Sequence, residues 1–235
     1  MHIFYVANIE DLFLDRKESH HCTKVLRLKE NDEIILIDGK GTLAKALIRR
    51  ISDKKTEFSI TEKNEDENTL SYNLHLAVAP TKNMSRFEWF IEKATEIGTS
   101  EITPILCENS ERKVIKTDRL KNIIISASKQ SQRACFPILN EMVSFHDFLK
   151  KTKEINSSKL IAYCAEGEKV LLNQIKLTEN ILVCVGPEGD FSMKEIQKAL
   201  LDGFKTVTFG KSRLRTETAA IYACSAINLL LQNAN

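Results

Sequence analysis

From Leu74 to Gln232 the sequence alternates between short aliphatic runs and longer amphipathic stretches. A chain written this way has few ways to bury its apolar surface. The short runs must pair as parallel strands, and the stretches between them must cover both faces of the sheet as helices. LHLAVAP (74–80), EITPILC (101–107), KLIAYCA (159–165), NILVCVG (180–186) and KTVTFG (205–210) read as strands, with FPILNEM (136–142) as a further short one. SRFEWFIEKATEIG (85–98) reads as a helix: Phe87, Phe90, Ile91, Ala94 and Ile97 fall on one face, and Gly98 is placed to stop it. Further helices are expected at 117–132, 144–155, 169–175 (KVLLNQI), 192–203 and 216–232.

Before residue 70 the pattern differs. Short β-rich runs are separated by Asp38-Gly39, Lys40-Gly41 and Ser52-Asp53, which is hairpin punctuation. Only residues 17–28 look helical. Short strands with tight turns in so small a segment predict a small β-barrel. NEDENT (64–69) has no apolar residue and reads as a linker. The expected organisation is therefore a barrel domain over 1–70 and an α/β domain over 71–235.

A chain of 235 residues can support two such cores. No apolar stretch approaches the roughly 18 residues of a membrane span, and the first residues lack the basic n-region of a secretory signal. The six cysteines are scattered, without C-x-x-C, and lie mostly among apolar neighbours, as buried reduced thiols of a cytoplasmic protein would. His2, His20, His21, His75 and His146 show no metal-ligand spacing, and no metal is expected. The net charge is +2, yet residues 110–133 hold seven basic and two acidic side chains, a local stripe able to meet phosphates.

Two loops that follow predicted strands carry unusual chemistry. In VGPEGDFSMKEI (185–196), Gly186 allows a sharp turn, Pro187 stiffens it, and Gly189 permits a backbone conformation closed to other residues. Ser192 and Glu195 then form a capping box, and free N–H groups there can hold a polar ligand edge. In FGKSRLRTETAA (209–220), Gly210 is followed by Lys211, Arg213 and Arg215, and Thr216 can cap a helix whose first turn carries Glu217. Cations at a strand end call for an anion or a ligand. Dinucleotide, P-loop and nucleophile-elbow motifs are all missing.

VGPEGDFSMKEI and LRTETAAIYA, with HHCTKVLRL near the N-terminus and FEWFIEKATEIGTSEITPI between, resemble in collinear order the ribosomal RNA small subunit methyltransferase E family. That resemblance implies S-adenosylmethionine-dependent methylation of the N3 atom of a uridine in small-subunit (16S) ribosomal RNA. It implies a SPOUT-class catalytic domain with a C-terminal trefoil knot, a PUA-like N-terminal barrel for RNA, and a homodimer. The knot is implied by resemblance alone. On the same footing, Gly186, Pro187, Glu188, Gly189, Gly210, Leu214 and Thr216 should wrap the cofactor, with Tyr163, Cys164 and Ala165 as a third wall.

The chain departs from the family pattern twice. Asp190 stands where a second glycine is usual, and Lys129 where the usual Glu-Gln-Ser begins with an acid; Gln130, Ser131 and Arg133 still match. Arg215 is the expected catalytic group, stabilising the uridine carbonyl oxygens as charge develops, and Glu217 a candidate proton acceptor. Lys24, Arg27, Arg112, Lys113, Gln130 and Arg133 are expected to contact RNA. A non-catalytic RNA-binding protein would keep the barrel and basic stripe but bind no S-adenosylmethionine. A small-molecule enzyme with a nucleotide cofactor would ignore RNA.

Overall fold

Every hairpin signal of the N-terminal part becomes a turn between strands. The computed structural model describes residues 1–66, 69–163 and 170–232. It divides into two units, Met1–Thr69 with Ile124–Phe136, and Leu70–Ile123 with Pro137–Asn235. In the first, β1 (His2–Tyr5), β2 (Phe13–Leu14), β3 (Glu33–Ile37), β4 (Thr42–Arg50) and β5 (Thr56–Glu65) form one sheet in the order β1-β3-β4-β5-β2. All five strands feed a core built on Phe4, Leu14, Ile34, Leu36, Ile48 and Phe58. Helix α1 (Arg16–His20) is N-capped by the Asp15 carboxylate and runs into a π turn at His21–Val25.

Residues Ile124–Phe136 join this unit through buried polar contacts. The Asp66 carboxylate accepts from the Ala134 N–H at 2.8 Å, and the Gly41 N–H donates to the Ala134 carbonyl. Asp66 is thus buried and engaged rather than a solvated linker residue; Glu67 and Asn68 lie outside the described residues. Lys129 Nζ donates to both oxygens of Glu18, at 2.8 and 2.7 Å, with side-chain exposures of only 16% and 8%. It also lies 5.5 Å from the Phe4 ring. The departure at Lys129 is therefore matched by an acid in α1.

The second unit is the parallel α/β sheet that the alternation predicts. It contains β6 (Asn73–Val78), α2 (Met84–Ile97), β7 (Glu101–Leu106), α3 (Thr117–Ser131, which continues into the first unit), β8 (Ile138–Leu139), β9 (Val143–Ser144), α4 (Phe145–Thr152), β10 (Ser158–Ala162), β11 (Val170–Leu171), β12 (Asn180–Val185), α5 (Met193–Leu201), β13 (Lys205–Thr208) and α6 (Thr216–Gln232). The order is β11-β13-β10-β12-β6-β7-β8, with β9 beside β7, and every pairing is parallel. One expectation fails here. The described part of KVLLNQI, residues 170–175, is a two-residue strand and a 3-10 turn at Leu172–Gln174, because the apolar run is too short to nucleate a helix.

Alternate strand residues face opposite layers. Leu182 and Cys184 pack with Phe145, Phe148 and Ile196 from α4 and α5. On α2, Phe87, Phe90, Ile91 and Ala94 of the expected face are buried and Ile97 is half-buried, and the helix packs on α6. Gly98, at φ 119°, ends α2, and the Asn228 amide of α6 donates to its carbonyl at 2.8 Å. Tyr72 Oη donates to the same Asn228 at 2.5 Å. These bonds fix α6, whose first turn reaches the site.

Lys129→Glu places two acids in a part-buried pocket and should lower unfolding stability by about 3 kcal/mol. Adding Glu18→Lys should recover more than half of the loss in urea titrations. Wild-type stability in the single variant would contradict this.

Candidate functional site

The carboxyl ends of β10, β12 and β13 open into one cavity of about 620 Å³, within the usual range for a small-molecule site. The two loops singled out in the sequence follow β12 and β13, which are successive strands of the chain but not neighbours in the sheet. β10 lies between them. The loops therefore face each other across the end of a third strand and enclose space.

The turn after β12 is held by its backbone. Gly186 is required by space rather than by dihedral angle, since a Cβ there would come within 3.0 Å of the Phe191 ring. That ring is buried and stacks on Phe145 at 4.8 Å between centroids. The expected capping box is present: Ser192 Oγ accepts from the Glu195 N–H, and the Glu195 carboxylate accepts from the Ser192 N–H. The left-handed residue of the turn is Asp190, at φ 61°, and not Gly189. Gly189 shows no such dihedral; it lacks a Cβ because one would lie 3.0 Å from Cβ of Asn109. Aspartate is among the few residue types that tolerate this conformation.

The opposite wall is the loop after β13. Gly210, at φ 128°, occupies a conformation that other residues avoid. Lys211, Arg213 and Arg215 follow, all exposed and all lining the cavity. Thr216 does not act as an N-cap. It is the first residue of α6, is buried, and its hydroxyl donates to the Gly186 carbonyl at 2.9 Å. This bond ties one wall to the other. Glu188 and Asp190 of the first loop and the three cations of the second line the same cavity, as do Val185, Val207 and Leu214.

Most residues expected to hold a cofactor do line this cavity: Tyr163, Gly186, Pro187, Glu188, Gly210, Leu214 and Thr216, together with Arg215. Gly189 does not, and Asp190 takes its place. Cys164 and Ala165 lie outside the described residues. Glu217, expected as a proton acceptor, does not join the lining residues. It is buried, and its Oε1 lies 3.8 Å from Arg86 Nε on α2. The helical period turns the residue after Thr216 away from the opening.

The expected RNA contacts fall in both units. In the first, Lys24 pairs with Asp53 at 2.9 Å, Arg27 is exposed at φ 55°, Gln130 is exposed and Arg133 is half-buried. In the second, Lys113 is exposed, whereas Arg112 is half-buried and donates to the Lys82 carbonyl at 2.6 Å. Arg112 is thus a brace of the strand ends as much as a free cation. Sequence reasoning missed Asn109, whose only signal is its place after β7. Burial pushes the thiols of Cys107 and Cys184 well up and that of Cys22 to about 11, so none of these three offers a ready thiolate. Cys135, expected to be buried, is exposed.

Comparison with known proteins finds relatives over both units. The RNA methyltransferase domain family matches residues 68–228, and the RNA methyltransferase PUA domain matches residues 14–61. The chain is 32% identical to a ribosomal RNA small subunit methyltransferase E of Mesomycoplasma hyopneumoniae, over 94% of this chain and 96% of that one. Its counterpart from Synechocystis is 30% identical over 94% of this chain and 73% of its own. The crystal structure of a ribosomal RNA small subunit methyltransferase E from Neisseria gonorrhoeae bound to S-adenosyl methionine superposes with a TM-score of 0.89. That protein is 29% identical, with 98% of each chain covered.

Thr216→Val removes the donor to the Gly186 carbonyl and should cost about 1–3 kcal/mol, the range for a buried acceptor left alone. Thr216→Ser keeps the hydroxyl and should stay within about 0.5 kcal/mol of wild type in urea unfolding.

Proposed function

Because this chain belongs to the ribosomal RNA small subunit methyltransferase E family, we propose that it methylates the N3 atom of a uridine in small-subunit ribosomal RNA, with S-adenosylmethionine as donor. The observation that carries the reading is the cavity at the ends of β10, β12 and β13, walled by backbone on one side and cations on the other. Its features fit the cofactor. Gly186 brings the backbone close, Val185, Val207 and Leu214 offer apolar surface for a base, and Glu188 and Asp190 suit a cationic ligand.

When bound, the cofactor supplies a methyl group already activated on a sulfonium. The protein's task is to hold the donor, expose the uridine and favour its anionic form. The 186–190 turn and Thr216 fix one wall relative to the other, so the donor site keeps its shape. Arg215, at the cavity wall, directs its guanidinium charge to the uridine carbonyl oxygens as N3 loses its proton to water. Glu217 is buried outside the cavity lining, with its Oε1 3.8 Å from Arg86 Nε, and is assigned no step in that transfer. Exposed Lys113, Arg27 and Gln130, with Arg133, serve the RNA backbone, each on its own unit.

The same reading makes the protein a cytoplasmic homodimer. No described helix is long and apolar enough to cross a membrane. Exposed Trp89 on α2 and Tyr222 and Leu229 on α6, helices that pack on each other, supply apolar surface for a second copy. Sedimentation should give twice the chain mass.

Incubation with methyl-labelled cofactor and small subunits lacking the modification should place label on N3 of one uridine. Absence of transfer, or label on another atom, would refute the assignment. Arg215→Ala should reduce transfer at least about 100-fold while calorimetric cofactor affinity stays within about threefold. Unchanged transfer would remove Arg215 from the mechanism.

A further inference from the structure

The turn that forms one wall of the cavity contains a left-handed residue that is not glycine. Asp190 sits at φ 61°, a region open to glycine and costly for most side chains, and it lines the cavity. Its N–H donates to the Pro187 carbonyl at 2.9 Å, and its Oδ1 accepts from the Phe191 N–H at 2.8 Å. Such a residue persists only where its surroundings over-determine it.

Those surroundings come from a distant loop. After β7 the chain closes a tight turn in which Ser110 Oγ accepts from the Cys107 N–H and the Ser110 N–H donates to the Cys107 carbonyl. This presents Asn109, whose Nδ2 donates to the carbonyls of both Gly189 and Asp190, each at 3.1 Å. Gly189 leaves room for it, since a Cβ there would meet Asn109 Cβ at 3.0 Å. One residue earlier, the Glu108 N–H donates to the Glu195 carboxylate at 3.0 Å, which anchors the same loop beyond the turn.

We infer that Asn109 is a positioning residue: it holds Asp190 in the left-handed conformation that shapes the cofactor wall, and so sets cofactor affinity without touching the cofactor. The link to affinity rests on the cavity being the S-adenosylmethionine site. The amide spans two successive carbonyls, a geometry available only while the peptide between them keeps its present orientation. Loss of the amide frees Asp190 to relax toward negative φ, which turns its carbonyl and side chain within the cavity wall. Glycine at position 190 would adopt the left-handed conformation without the steric cost that Asp190 carries, so loss of the Asn109 amide should matter less there.

The test uses Asn109→Ala, Asp190→Gly and the double variant in the full-length protein. Amide hydrogen exchange at residues 190 and 191 is read by nuclear magnetic resonance, and S-adenosylmethionine affinity by calorimetry. Asn109→Ala should speed exchange at both amides and weaken affinity about fivefold, as expected for the loss of two exposed hydrogen bonds. In the Asp190→Gly background the same change should cost less than about twofold. Asn109→Asp, which replaces the donor by an acceptor facing two carbonyls, should behave no better than alanine. Unchanged exchange and affinity in Asn109→Ala would overturn the inference, as would an equal loss with glycine at 190. Should the wild type bind no S-adenosylmethionine while exchange follows the predicted pattern, the cavity assignment falls and the placement of Asp190 by Asn109 stands.

Discussion

One hydrogen bond, from the Thr216 hydroxyl to the Gly186 carbonyl, joins the two halves of the site. The loops it connects leave β12 and β13, strands separated in the sheet by β10. Both strands pair with β10, which sets their spacing in the sheet, and the hydrogen bond joins the loops beyond the strand ends. Its position at the start of α6 matters because that helix is itself anchored. Asn228, further along α6, receives the Tyr72 hydroxyl and donates to the carbonyl of Gly98, which ends α2. Through Thr216 the anchored helix is bonded to the turn after β12.

The two walls use different chemistry. The β12 wall is mostly backbone, so its shape depends on dihedral angles and on the absence of side chains at Gly186 and Gly189. Both glycines are demanded by neighbours, Phe191 and Asn109, rather than by a special φ. The β13 wall carries its function in side chains, three cations in five residues. A site of this kind separates tasks: the geometry of the first wall fixes a ligand, and the charge of the second acts on what approaches it.

The alternation of strands and helices was legible because burial on both faces leaves a periodic record, and the face of α2 was readable residue by residue. So was the importance of the two loops. The roles inside them were less legible. Gly189 was expected to carry the unusual backbone, yet Asp190 does, since sequence shows only that one of several turn residues must. Glu217 follows the cavity residue Thr216 in the chain, but one step along a helix rotates it about 100°, out of the cavity lining and to 3.8 Å from Arg86. The segment Ile124–Phe136 was placed with the α/β part because α3 is continuous. Its membership of the N-terminal unit follows from tertiary bonds by Asp66 and Glu18, which have no local signature.

The claim on which the account depends is that the 186–190 turn and the 209–216 loop together form a donor site. A crystal structure of the protein soaked with S-adenosylmethionine tests it most directly. The account predicts the ligand between the two loops, against Gly186 and Leu214, with the Thr216–Gly186 bond intact. A ligand bound elsewhere, or loops drawn apart with that bond broken, would contradict it.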